Sequence, residues 1–146
     1  EKELNAKKIS VSMEAGVREP MIHADAEQIK QVFFNVIGNG VDAVGENSTI
    51  RIVTGIDDQY VFAKIVDQGS GIKKEDIARV FEPYFTTKKS GHGIGMMIVH
   101  RIMRDHGGEV GIDSKEGSGT IVTLNFPRKS IRRTLLESAE SDSQEA

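Results

Sequence analysis

The sequence predicts an α/β domain, an α+β sandwich in which a mixed, mostly antiparallel sheet of about five strands carries helices on one face. Two observations lead there. Short runs such as TIRIVTGI (49–56), YVFAKIV (60–66) and GTIVTLNFP (119–127) have strand length and strand composition. Two longer stretches, 25–44 and 95–106, instead place apolar residues at helical spacing.

The chain has 146 residues, 38% hydrophobic and 28% charged, enough for one domain with a real core. A net charge of −3 argues against non-specific nucleic-acid binding. With no cysteine there is no disulfide framework or thiolate metal site, and a reducing, cytoplasmic compartment is expected. No run approaches the roughly 20 apolar residues of a membrane span, and the opening EKELNAKK is not a signal peptide. No internal repeat is present.

In chain order, residues 1–8 are polar and read as a linker. ISVSME (9–14) alternates apolar and polar residues, as a strand does, and a second short strand is expected at PMIHA (20–24). Asp25 is a good helix N-cap, and Ile29, Val32, Phe33, Val36, Ile37, Gly40, Val41 and Val44 then recur on one helical face. GENS (45–48) ends that helix. The 49–56 and 60–66 strands, joined by Asp57-Asp58-Gln59, read as an antiparallel hairpin. Residues 73–95 show no long periodicity. The second helix carries Met96, Ile98, Val99, Ile102 and Met103 and stops at Gly107-Gly108. EVGIDS and GTIVTLNFP supply two more strands around the turn KEGSG. Beyond Pro127, a basic-then-acidic tail is expected to be partly helical and partly disordered.

Three stretches could carry chemistry. Gln28, Gln31, Asn35, Asn39 and Asp42 step by three or four along one face of the first helix. Amide oxygens are hard neutral ligands suited to Mg²⁺, yet the stripe fits a solvated polar face equally well. Val66-Asp67-Gln68-Gly69-Ser70-Gly71-Ile72 follows an apolar strand. Its aspartate could accept from an exocyclic amine while the glycines admit a flat ligand; alone, it reads more simply as a capped tight turn. Gly91-His92-Gly93-Ile94-Gly95 opens the second helix, where backbone N–H groups could cradle phosphates. It is neither a Walker A loop nor a GxGxxG fingerprint, and a flexible hinge would explain it as well.

Taken together and in order, these stretches resemble the catalytic and ATP-binding domain of bacterial sensor histidine kinases, in the GHKL superfamily with the gyrase, heat-shock chaperone and mismatch-repair ATPases. QVFFNVIGNGVDAV is similar to the N box, VDQGSGI to the first glycine box and VFEPYFTTK to the phenylalanine box. GHGIGMMIV is similar to the second glycine box and GSGTIVTLNFP to the closing strand motif. The resemblance covers roughly residues 9–127, with 128–146 as a tail. The EPYFTTK segment before a short lid resembles the nitrogen-regulation-like subgroup.

The resemblance implies ATP and Mg²⁺ as ligands. It implies Asn39 as the metal ligand, with Asn35 and Asp42 on the same nucleotide-facing stripe. Asp67 would bond the adenine amino group, with Gly69, Gly71 and Ile72 shaping the base pocket and Thr120 supporting the aspartate. A lid over about 76–95 would bring Thr87, Lys88, Gly91, His92, Gly93, Ile94 and Gly95 to the phosphates. Two departures from the family pattern are Gly40, where alanine is common, and His92 with Met96 in the second glycine box.

The family's acceptor histidine lies in a separate dimerisation hairpin that nothing here resembles. The resemblance therefore implies that residues 1–8 are a linker stub and that no catalytic residue proper is present. The partners implied are that phospho-acceptor domain and a response regulator receiver domain, with the full-length protein a homodimer and this chain a monomer. The ATPase branches place a glutamate one turn before the metal asparagine to activate water. Asn35 cannot take a proton near neutral pH, which points to phosphotransfer. The other reading is a non-catalytic nucleotide-dependent regulator, an anti-sigma-like switch.

Overall fold

A computed structural model describes residues 8–16, 21–82 and 95–128. The elements are β1 (Ser10–Ala15), α1 (Ala26–Ala43), β2 (Thr49–Ile56), β3 (Tyr60–Asp67), α2 (Lys74–Ile77), α3 (Gly95–Asp105), β4 (Glu109–Lys115) and β5 (Gly119–Pro127). The strands form one sheet in the order β1-β2-β3-β5-β4. β1 runs parallel to β2, and the other three pairings are antiparallel, so the sheet is mixed and mostly antiparallel as expected.

Strand alternation sends Ile50 and Ile52 of β2, Val61, Ala63 and Ile65 of β3, and Val122, Leu124 and Phe126 of β5 into the core. Val32, Val36 and Val41 of α1 and Val99, Ile102 and Met103 of α3 meet them there. Apart from Ala63, each of these side chains contributes on the order of 1.5–3 kcal/mol by leaving water. Asp67 is the last member of β3's inward set, so a carboxylate stands where the pattern calls for an apolar residue.

α1 begins where its cap predicts. The Asp25 carboxylate accepts from the N–H groups of Glu27 and Gln28, at 3.0 and 3.2 Å. Its helical face then buries Val32, Val36, Gly40 and Val41. α3 ends at Gly107, whose φ of +69° suits the left-handed position after a helix.

Two expectations change. Residues 21–25 form no strand: the stretch is irregular and runs directly into the Asp25 cap, where the Asp25 N–H bonds His106 Nε2 at 3.1 Å. A short apolar stretch favours extended backbone but supplies no ladder partner. Within the stretch that lacked periodicity, Lys74–Ile77 makes one helical turn, too short to register as a period. The expectations for the linker at 1–7 and the tail at 129–146 lie outside the described residues.

Candidate nucleotide site

The site is built around the end of β3. Asp67 is 7% exposed, and its Oδ1 accepts from the Gly69 N–H at 2.9 Å. The Thr120 backbone N–H, directly opposite in the β3–β5 ladder, also donates to this carboxylate. Burial pushes the Asp67 carboxyl above its ordinary value; the two backbone bonds oppose that and do not cancel it. A carboxylate offers about four lone-pair positions, so two N–H donors leave acceptor capacity for a ligand.

Glycines form the walls. A Cβ on Gly40 would stand 3.7 Å from Asp67 Oδ2, so α1 crosses directly over the carboxylate with nothing between them. A Cβ on Gly69 would stand 2.5 Å from the Ala43 carbonyl oxygen, so the loop after β3 presses onto the end of α1. The Ser70 N–H donates to that same carbonyl at 3.2 Å. Gly71 has a φ of +70°, and a Cβ there would run into the Lys115 carbonyl at the β4–β5 turn. Gly117 closes the contact by donating its N–H to the Ser70 carbonyl at 2.7 Å.

The polar stripe of α1 leads away from this pocket. Asn39 is half-buried and immediately precedes the Gly40 that overlies Asp67. Asp42 lies further along the stripe and is exposed. Asn35, one turn before Asn39, is partly buried and donates from Nδ2 to the Gly95 carbonyl at 3.3 Å. That bond ties α1 to the first residue of α3. A Cβ on Gly95 would meet nothing within 4 Å among the described residues.

The structure thus brings together Asp67, Gly69, Gly71, Ile72 and Thr120, and links Asn35 to Gly95. Thr87, Lys88, Gly91, His92, Gly93 and Ile94, the expected phosphate side, lie outside the described residues. Among the described residues no group of three or more His, Cys, Asp or Glu could hold a metal. An amide ligand such as Asn39, working with phosphate oxygens and water, needs no such group. A separate hollow of about 270 Å³ at the other end of β4, lined by His100, Arg104 and Glu109 among others, contains none of these residues.

Sequence reasoning missed Ser114. Its hydroxyl accepts from the Ile72 N–H at 2.8 Å and lies 2.7 Å from Thr120 Oγ1. The signal was present: Val110, Ile112 and Ser114 are the inward positions of β4, and a small hydroxyl there interrupts an apolar row.

Residues 24–130 match the family described as histidine kinase-, DNA gyrase B- and HSP90-like ATPase. Over 129 residues the chain is 33% identical to sensor histidine kinase ZraS of Escherichia coli (strain K12), covering 88% of the chain and 28% of that protein. It is 36% identical over 108 residues to sporulation kinase A of Bacillus subtilis (strain 168), covering 74% of the chain and 18% of that protein. Among solved structures, a nucleotide-free catalytic domain of the histidine kinase ThkA superposes with a TM-score of 0.77 at 30% identity, over 87% of this chain and 84% of that one. Full-length ShkA in complex with AMPPNP superposes with a TM-score of 0.77 at 25% identity, over 88% of this chain and 28% of that one. The chain therefore spans about a quarter or less of the curated relatives it matches.

Proposed function

The chain belongs to the histidine kinase-, DNA gyrase B- and HSP90-like ATPase family, and from that premise we propose that it is the ATP-binding catalytic domain of a sensor histidine kinase. The observation that carries the reading is a buried carboxylate with spare acceptor capacity, walled by glycines, at the mouth of a helix that presents Asn35 and Asn39. Asp67 accepts a hydrogen bond from the adenine 6-amino group. Gly69 and Gly71 let the 67–72 loop lie close to the base, and Thr120 supports Asp67 through its backbone N–H.

The triphosphate runs along the asparagine face of α1 toward the start of α3. Asn39 would hold Mg²⁺ through its amide oxygen. An Mg²⁺ ion held there would supply positive charge against the charge that develops during phosphoryl transfer. Asp42 lies on the same stripe. The family resemblance assigns Thr87, Lys88, Gly91, His92, Gly93 and Ile94, outside the described residues, to the phosphates.

Asn35 decides between transfer and hydrolysis. Its amide is engaged with the Gly95 carbonyl and has no proton-accepting carboxylate to activate water. The γ-phosphoryl therefore passes to an imidazole nitrogen on a separate dimerisation domain, whose lone pair attacks phosphorus as ADP leaves. A response regulator receiver domain is the next acceptor. The parent protein, membrane-bound or soluble, works as a homodimer with this domain, itself a monomer, in the cytoplasm; no nucleic acid takes part. Among the described residues no helix is long and apolar enough to cross a membrane.

The test is thermal stabilisation by an Mg²⁺–ATP analogue, compared between the chain and Asp67→Asn. A rise in the parent that the variant loses is expected. No rise in the parent would sink the reading.

A further inference from the structure

We infer that the last segment of this chain, residues 129–146, docks on an uncovered apolar shoulder of the sheet at β1, seating Ile131, Leu135 and Leu136 there. The inference is independent of the nucleotide reading.

The shoulder follows from the layout of the sheet. β1 is an edge strand whose Val11 stands beside Ile50 of β2 and whose Met13 stands beside Ile52. Strand alternation therefore points Val11 and Met13 to the core side. Ile50 and Ile52 are buried there, yet Met13 is 70% exposed and Val11 45%. α1 packs over β2, β3 and β5 and leaves these two side chains open. Ile56, on the same side at the end of β2, is also exposed. Phe34 extends the surface. Asn35 bonds α3 on one flank of α1, and Val32, Val36 and Gly40 are the buried stripe. Phe34, about 100° back from Asn35, is thus on the flank away from α3, the β1 side, and it is 79% exposed. Four of the five large apolar residues that the described residues expose are on this one surface, which marks it as a docking site rather than scattered exposure.

Where the chain leaves the fold selects the occupant. Arg128 is fixed at the tip of the β2–β3 hairpin: its N–H donates to the Gln59 carbonyl at 3.0 Å and its guanidinium to the Asp57 carbonyl at 3.3 Å. That tip adjoins Ile56. From there Met13 is about two strand spacings across and about four residues back along the ladder, roughly 17 Å away. Leu135 is about seven residues beyond Arg128, and an extended run of that length reaches roughly 23 Å.

The order of the segment matches the order of the surface. Beyond Arg128 the chain presents Ile131, then Leu135 and Leu136, then Glu137, Glu140, Asp142 and Glu145 with no further basic residue. From the hairpin tip back along β1, the surface presents Ile56, then Met13 and Val11, then exposed Lys8. Lys30, on the same flank of α1 and paired with Glu27 at 3.3 Å, adds a second cation. The family match ends at residue 130, so this docking belongs to the chain's own end and not to the shared domain.

The test is methionine footprinting with dilute hydrogen peroxide on three proteins: the full chain, a chain ending at Arg128, and a full-length variant carrying Leu135→Ser and Leu136→Ser. Mass spectrometry reads oxidation at Met13, fully buried Met103 serves as the internal control for folding, and sedimentation gives the oligomeric state. Met13 is expected to oxidise about tenfold more slowly in the full chain than in the truncated one, the ratio for a segment docked about 90% of the time. The serine variant should oxidise at Met13 as fast as the truncated chain, with Met103 still protected. If truncation also exposes Met103, the serine variant alone decides.

Equal Met13 rates in the full chain and the serine variant would overturn the inference. Protection of Met13 that grows with protein concentration alongside a dimer would also overturn it, and would assign the shoulder to a second copy.

Discussion

Asp67→Asn separates what the carboxylate does for the nucleotide from what it costs the empty fold. In the unliganded chain the carboxylate is buried and held by the Gly69 and Thr120 N–H groups, and its pKa is still raised from 3.8. The sign follows from linkage. Above the unfolded value of 3.8, and up to the raised folded value, the native state keeps a proton that the unfolded chain has lost. Stability therefore falls as pH rises through that window, and the full penalty is present above the folded pKa. The slope from this one group cannot exceed about 1.4 kcal/mol per pH unit.

An asparagine has no such titration, so the stability of Asp67→Asn relative to the parent should increase with pH across the window and then level off. Nucleotide affinity should move the other way. The amide loses the hydrogen bond from the 6-amino group to a charged acceptor, worth about 1.5–3 kcal/mol, or roughly 10- to 150-fold in Kd. Denaturant unfolding from about pH 4 to pH 7 reads the first quantity, and calorimetric titration with an ATP analogue reads the second. A relative stability that declines with rising pH would refute the burial argument. An affinity within twofold of the parent would refute the assignment of Asp67 to the base.

Other consequences are open to simpler tests. Among the described residues a Cβ on Gly38 of α1 meets nothing within 4 Å, so Gly38→Ala should raise stability by about 0.5–1 kcal/mol in denaturant unfolding. The same change at Gly71 should destabilise by about 1–2 kcal/mol from its left-handed backbone alone, before its contact with the Lys115 carbonyl is counted. Chelating Mg²⁺ should weaken ATP-analogue binding by the parent, and Asn39→Ala should show a smaller difference with and without the ion in parallel titrations.

What the sequence made legible follows from what its signals encode. Asp25 and the spacing from Ile29 to Val44 marked α1 because capping and helical period are local properties. The two hairpins were legible for the same reason. Pairing partners were not: nothing in ISVSME says that β1 runs parallel to β2, since alternation specifies a face and not a neighbour. The same limit explains the short strand expected at 20–24, since no ladder includes residues 21–24.

At the site, Asp67 and its glycines were legible because their order along the chain resembles a known family. Gly40 read only as a departure from the family's alanine; in space it marks where α1 passes Asp67, a Cβ there standing 3.7 Å from Oδ2 and 3.2 Å from Ile50 Cδ1. Ser114 showed in the sequence only as a hydroxyl breaking β4's inward row; its partners, Ile72 and Thr120, are brought to it by the tertiary fold.

The central claim is that this chain binds ATP and leaves the γ-phosphoryl for an acceptor elsewhere, because Asn35 provides no base. Equilibrium dialysis against Mg²⁺–ATP, with the nucleotide in the protein chamber identified chromatographically, tests it in one measurement. The account predicts an excess equimolar with the chain, recovered as unconverted ATP. No excess, or steady conversion to ADP and phosphate over many turnovers, would contradict it.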